Sequence, residues 1–149
     1  MSPTSTKQEF TLRKANQTLP LVRMIVQDIV EYSRGIADTR ERLEYLSEGR
    51  NFDATDVYSE ELQSIQESLN VKSERVNKCI EELSALGIQS EHVSEGFVDF
   101  PARRDDELVF LCWHVNENEV IHWHHVNEDC TERRPIDLPL IRQSGEASP

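Results

Sequence analysis

The chain has 149 residues, enough for one domain of ordinary size, and its 28 acidic side chains against 16 basic ones leave a formal charge of −12. Such a surface is too acidic for nucleic-acid binding by phosphate neutralisation, which needs a clustered basic patch, and it opposes docking on anionic lipid. Hydrophobic residues make up 37% and charged residues 30%, a balance that suits elongated helices with wide solvated faces better than a thick globular core.

Residues 1–9 read as a disordered leader, polar and without the apolar run of a secretory signal. No window is apolar enough to cross a bilayer. The cysteines are Cys79, Cys112 and Cys130, an odd count with no Cys-x-x-Cys pair. That pattern fits reduced thiols and a cytoplasmic protein better than a disulfide framework.

Phe10-Thr11-Leu12 opens a short helix, with Thr11 as N-cap and Phe10 and Ala15 placed to staple it. Leu19-Pro20 is expected to interrupt that helix, because proline suits the first position of a helix and not its interior. From Pro20 onward Val22, Ile25, Ile29, Tyr32, Ile36, Thr39, Leu43 and Leu46 recur in steps of three and four, a heptad-like seam stopped by Gly49. After a loop over 50–55, capped by Thr55 or Asp56, the spacing returns in Tyr58, Leu62, Ile65, Leu69, Lys72, Val76, Cys79, Leu83 and Leu86, and Gly87 ends it. Two helices of about 30 residues, roughly 45 Å each, make a long antiparallel hairpin. The seam is narrow and holds the polar Thr39 and Lys72, while Val26 and Val30 widen the apolar face. Homo-oligomerisation through the hairpin is therefore expected, the alternative being that the C-terminal sheet covers the extra surface within one chain.

Past Gly87 the period becomes extended. Ile88–Val93 and Phe97–Phe100 read as strands around a Glu95-Gly96 turn, and 101–107 as a charged loop. The run from Leu108 to Trp113 is apolar throughout, so both faces of that strand should be covered. Asn116, Glu117 and Asn118 supply a turn, Val120–His125 returns as the partner strand, and Pro135 and Pro139 lead into a flexible tail over 137–149. The fold class is α+β: a single domain over 10–136, with the helical hairpin over 10–87 and a small antiparallel sheet over 88–136.

Chemistry concentrates in Cys112-Trp113-His114 and His122-Trp123-His124-His125. Residues two apart share a strand face, so Cys112 and His114 project together, as do His122 and His124. An odd loop length puts all four on one face, where a thiolate and imidazoles suit zinc first, and iron or copper next. Solvated histidines beside a buried Cys112 are the plainer alternative. A nucleophilic Cys112 with His124 as base and Asp99 or Glu117 as orienter is a third reading, opposed by the apolar run around the thiol. Cys79 falls in the seam and should be inert, whereas Cys130, in a polar segment, is expected to react first with thiol reagents. Asp99 and Arg133 can form a structural ion pair or hold an anion.

The chain resembles a bacterial family known as domain of unknown function 2203. The resemblance rests on Phe10-Thr11-Leu12, Ala15-Asn16 and Leu19-Pro20, then Gly96-Phe97-Val98-Asp99-Phe100-Pro101, Leu111-Cys112-Trp113, Glu117, Trp123-His124, Arg133 and Pro135. It implies no particular activity, but it directs attention to Asp99, Cys112, Glu117 and His124 as shared ligands. Trp113 and Trp123 then flank a ligand and Arg133 serves as anion partner, whereas His114, His122 and His125 fall outside the motif. Lys14, Asp129, Cys130 and Glu132 depart from the family pattern. The sequence therefore supports a small protein binding a transition metal or small ligand at its C-terminal hairpin, with a non-catalytic helical scaffold as the alternative.

Overall fold

The computed structural model describes residues 9–47 and 56–137. The Gly49 stop, the loop over 50–55, the leader up to 8 and the tail from 138 lie outside the described residues. Two helices, α1 (Leu12–Ser47) and α2 (Asp56–Ala85), form the expected hairpin. A 3-10 turn (Val93–Glu95) follows, then strands β1 (Phe97–Arg104), β2 (Glu107–His114) and β3 (His122–His125). A second 3-10 turn (Cys130–Glu132) leads to β4 (Arg134–Pro135). The four strands pair antiparallel in the order β1-β2-β3-β4, so the α+β class is observed.

The first helix begins as the sequence suggests. Thr11 Oγ1 accepts the Lys14 N–H at 3.0 Å, and Phe10 and Ala15 are both buried in the core. It does not break at Pro20, however; α1 runs through it as one helix. An interior proline costs about 3 kcal/mol, but Leu19, Val22, Ile25, Val26 and Ile29 around it are all buried. Each such side chain contributes about 2 kcal/mol, so packing outweighs the lost hydrogen bond. Val26, which the sequence left free for a second copy, has no exposure, and Val30 packs against the same core. The sheet thus covers this surface within one chain.

Beyond Ile29 the hairpin is thinner. Tyr32, Ile36, Leu62 and Val76 are half-buried, and the two polar seam residues satisfy one another, Lys72 Nζ donating to Thr39 Oγ1 at 3.1 Å. The second helix stops at a Schellman turn. Gly87 takes φ +86°, its N–H bonds the Ser84 carbonyl at 2.9 Å, and the Ile88 N–H bonds the Leu83 carbonyl at 3.0 Å. The flanking Leu83 and Ile88 are both buried, the apolar contact that accompanies this motif.

Three boundaries differ from expectation. Ile88–Val93 is not a strand: only Gln89 bridges to Asp99, and the chain then coils into the first 3-10 turn. The supposed loop over 101–107 is strand and hairpin, because Asp105 and Asp106 take φ +54° and +70°. Two central residues at positive φ make the tight turn whose twist matches paired strands, and aspartate tolerates that conformation better than most. Val120 and Ile121 lie outside β3. Asn16, reaching from α1, instead accepts the Val120 N–H at 2.7 Å, and Arg23 donates to the carbonyls of Glu117 and Asn118, both at 3.1 Å. These two helix residues pin the connection that a continued strand would otherwise have fixed.

The inner face of the sheet carries Val98, Phe100, Ala102, Val109, Leu111, Trp113 and Trp123 against α1, Leu83 and Ile88. Because the Asp106 side chain sits at positive φ without need of one, Asp106→Gly is expected to raise stability by about 0.5–1 kcal/mol. An increase in the urea midpoint at unchanged slope would show it, and a decrease would contradict this turn geometry.

Candidate metal centre

The register that places the apolar residues inside places a different set outside. Asp99 pairs with Cys112, Phe97 with His114, Cys112 with His122 and Phe110 with His124. Paired residues share a face, and so do residues two apart. The β2–β3 connection, Val115–Ile121, has an odd length, so Cys112, His114, His122 and His124 do project from one side of the sheet. Only two of these four meet.

The ligand atoms of Asp99, Cys112, His124 and Cys130 lie within 4.8 Å of one another, and all four residues are buried. Three of them come from the middle of adjacent strands. The fourth, Cys130, is brought over them by the second 3-10 turn, and its exposure is 8% rather than that of a residue in an open polar loop. The sequence reading missed it as a ligand because Asp129, Thr131 and Glu132 around it are polar. A signal was present: Asp129-Cys130-Thr131-Glu132 is a capping box. Asp129 accepts the Thr131 N–H at 2.9 Å and Glu132 accepts the Asp129 N–H at 3.1 Å. That box starts a helical turn at Cys130 and turns its side chain inward.

His124 fixes the orientation of the group. Its Nδ1 donates to the His125 carbonyl at 2.7 Å, and its Nε2 lies 3.0 Å from Asp99 Oδ1. A carbonyl can only accept, so Nδ1 carries a proton, and the hydrogen bond between Nε2 and Asp99 Oδ1 holds one further proton, which a bound metal would displace to leave the Nε2 lone pair facing a carboxylate and two sulfurs. Burial pushes the Asp99 carboxyl up, against the lowering effect of His124. Burial, followed by the Asp99 charge, also pushes both the Cys112 and Cys130 thiols up. This is the opposite of thiolate activation by a neighbouring base, and His124 spends its Nε2 on Asp99, so the nucleophilic reading of Cys112 has no support in the geometry.

The other expected site residues stand apart from the group. Glu117 is a clamp: it accepts from Arg133 Nη1 at 3.1 Å and Nη2 at 2.5 Å, and from the His114 N–H at 3.0 Å. It is not a ligand of the cluster. Arg133 is held by that clamp and over the Phe97 ring, 5.3 Å from its centroid, yet it remains close enough to hydrogen-bond the Cys112 thiol. His122 places Nδ1 3.6 Å from Glu117, too long for a hydrogen bond, and that atom is buried without one. Burial and then Arg133 hold its pKa below the ordinary imidazole value. His114 turns to the Glu95 carbonyl at 3.1 Å and meets the Phe97 ring edge-on at 4.5 Å. Trp113 is in the inner core, its Nε1 donating to the Glu117 carbonyl at 3.0 Å. Trp123 also faces inward, beneath Arg104 and Arg134 at 4.7 and 4.9 Å. Neither tryptophan lines the cluster.

With this geometry the motif residues acquire roles. A family model described as uncharacterized conserved protein (DUF2203) matches residues 8–136. The chain belongs to the DUF2203 family. No curated protein and no solved structure matches it. In this DUF2203 protein Gly96 sits at φ +97°, and a Cβ there would approach His114 Nε2 to 2.9 Å, so the position requires glycine on both counts. Pro101, on the edge strand β1, offers its carbonyl to the Phe10 N–H at 2.6 Å, and Phe10 meets the Phe100 ring edge-on at 5.1 Å.

Glu117 titrates below its ordinary value of 4.5: burial opposes this, but the Arg133 and His114 hydrogen bonds outweigh it. A depressed carboxyl contributes stability above its unfolded pKa and loses it as pH falls through the folded one. Glu117→Gln should therefore cost about 2 kcal/mol at neutral pH, and the gap from the parent protein should close in acid below the ordinary carboxylate range. Urea unfolding of both proteins across that range checks it; a gap independent of pH would contradict the clamp.

Proposed function

We propose that this protein binds a transition metal, zinc in the first place, through Asp99, Cys112, His124 and Cys130. The observation that carries this reading is the His124 ring. Its Nδ1–H is tied to a backbone carbonyl, the usual outer partner of a ligating imidazole, while Nε2 points at a buried carboxylate and two buried thiols. Four donors of mixed sulfur, nitrogen and oxygen type from three strands and a turn suit tetrahedral zinc. Without a cation the carboxyl group, the thiols and the imidazole hold one another by hydrogen bonds, which a bound metal would replace with ligand bonds.

All four ligands belong to the chain and are buried, so the centre has no position open to substrate. Its work is structural: it fastens the segment carrying Cys130, and with it the short β4, onto the outer face of the sheet. Metal analysis of untagged protein grown with zinc, iron and copper supplied should give near one equivalent. Cys112→Ser, Cys130→Ser and His124→Ala should each reduce it severalfold, whereas His114→Ala should not. Retention of metal by all three ligand variants would reject the site. Absence of metal from the parent protein would reject the reading.

The distal hairpin supports a second reading, homo-oligomerisation. Tyr32, Ile36 and Leu62 remain half-buried there, while Ile65 and Leu69 are buried. Ile36→Asp should lower the assembly state in sedimentation velocity, because the charge would enter an apolar seam unpaired. A monomeric parent at micromolar concentration would remove this reading.

A further inference from the structure

The two thiols of the centre differ in access and in the rigidity of what carries them. Cys112 lies in the middle of β2, paired with Asp99 on one side and His122 on the other, and has no exposure. Cys130 lies at the outer surface of the same cluster, in the 3-10 turn between exposed Asp129 and Thr131. The two sulfurs are hydrogen-bonded to each other, and both cysteines are free. The third cysteine, Cys79, sits on α2 in the helical seam and not in this group.

From this arrangement we propose that Cys112 and Cys130 are an oxidisable dithiol, and that their disulfide and the bound metal exclude one another. The proposal rests on the metal reading for its second half only; the thiol pair itself is a feature of the metal-free chain. A tetrahedral centre built on two sulfurs loses half its donors when they bond to each other, and Asp99 with His124 alone is a weak site for zinc. The oxidant is a peroxide. The Cys130 sulfur attacks one peroxide oxygen, the O–O bond breaks, and the departing hydroxide takes the thiol proton, or one from solvent when the metal holds a thiolate, to leave as water. Cys130 is then a sulfenic acid. The Cys112 sulfur attacks the Cys130 sulfur, the S–O bond breaks, and the hydroxyl leaves with one further proton as the second water. Two electrons have passed from the sulfur pair to one hydrogen peroxide, which becomes two waters. Cys130 is the partner nearer to solvent, in a 3-10 turn outside the strand ladders, whereas Cys112 is held by two of them.

The test uses the full chain in two samples, one loaded with zinc and one stripped of metal, each treated with hydrogen peroxide. Zinc release is followed with a chromophoric chelator, thiol content by alkylation, and connectivity by peptide mass mapping. The expected result is a Cys112–Cys130 disulfide in both samples, with one zinc released per disulfide and Cys79 still a free thiol. Dithiothreitol should then restore zinc binding. Cys79→Ser should behave as the parent, and Cys130→Ser should form no such linkage. Sulfinic or sulfonic acid at Cys130 with Cys112 free, in both samples, would overturn the dithiol. A disulfide that leaves zinc bound would overturn the exclusion. A reduced chain that takes up no zinc would instead defeat the metal reading, while the stripped sample would still decide whether the dithiol forms.

Discussion

The contact on which the rest of the outer sheet depends is the one between His124 and Asp99. Both side chains are buried, on two strands that are not neighbours in the sheet, with Cys112 on the strand between them. Their approach to 3.0 Å fixes the outward-facing donors of β1, β2 and β3 at one depth, and Cys130 closes the group from above. A buried imidazole and carboxylate in contact with each other do not arise from hydrophobic collapse alone. The Nδ1–carbonyl bond of His124 leaves Nε2 as the ring nitrogen that faces the cluster.

That outer site is assembled by the inner core. Since strand side chains alternate with a period of two, the register that buries Val98, Leu111 and Trp123 against α1 also brings Asp99, Cys112 and His124 to the far side. A slip of one residue would exchange the two sets. The helix therefore acts at a distance: Leu19, Val22 and Val26 hold the inner face, and Asn16 and Arg23 hold the 115–121 connection by hydrogen bonds to its backbone. The connection keeps Glu117 beside Arg133, and Arg133 beside Cys112.

How much of this was legible in the sequence follows from the range of the interactions involved. The heptad-like spacing, the Gly87 stop and the Thr11 cap are local patterns, and they appear where expected, whereas β2 is covered on its inner face and, on its outer face, fully only at Cys112. The continuity of α1 through Pro20 was not legible, because it depends on burial against a sheet some eighty residues later in the chain. The Asp105-Asp106 hairpin was hidden by charge, since aspartates without a glycine read as a loop. Within the site, Cys112, His124 and Asp99 were recovered from residue type and from the resemblance. His114 and His122 were legible as lying on the same face, but sharing a face does not secure contact: their rings are drawn off by the Glu95 carbonyl and toward Glu117. Cys130 was obscured by polar neighbours whose side chains build the capping box that turns it in.

Arg133 completes the argument through charge. In the proposed centre two thiolates and a carboxylate around a dication would leave one negative charge in a buried setting, and desolvated net charge is costly. Arg133, at hydrogen-bonding distance from Cys112, would offset part of that charge, its own being shared with Glu117. The guanidinium would be free to swing to solvent if nothing else held it. Bidentate bonding by Glu117 and stacking over Phe97 keep its planar face in place. Glu117 is thus coupled to the centre without touching it: it orients the arginine that would offset part of that charge, and its own backbone carbonyl is fastened by Trp113 and Arg23 from the inner side of the sheet.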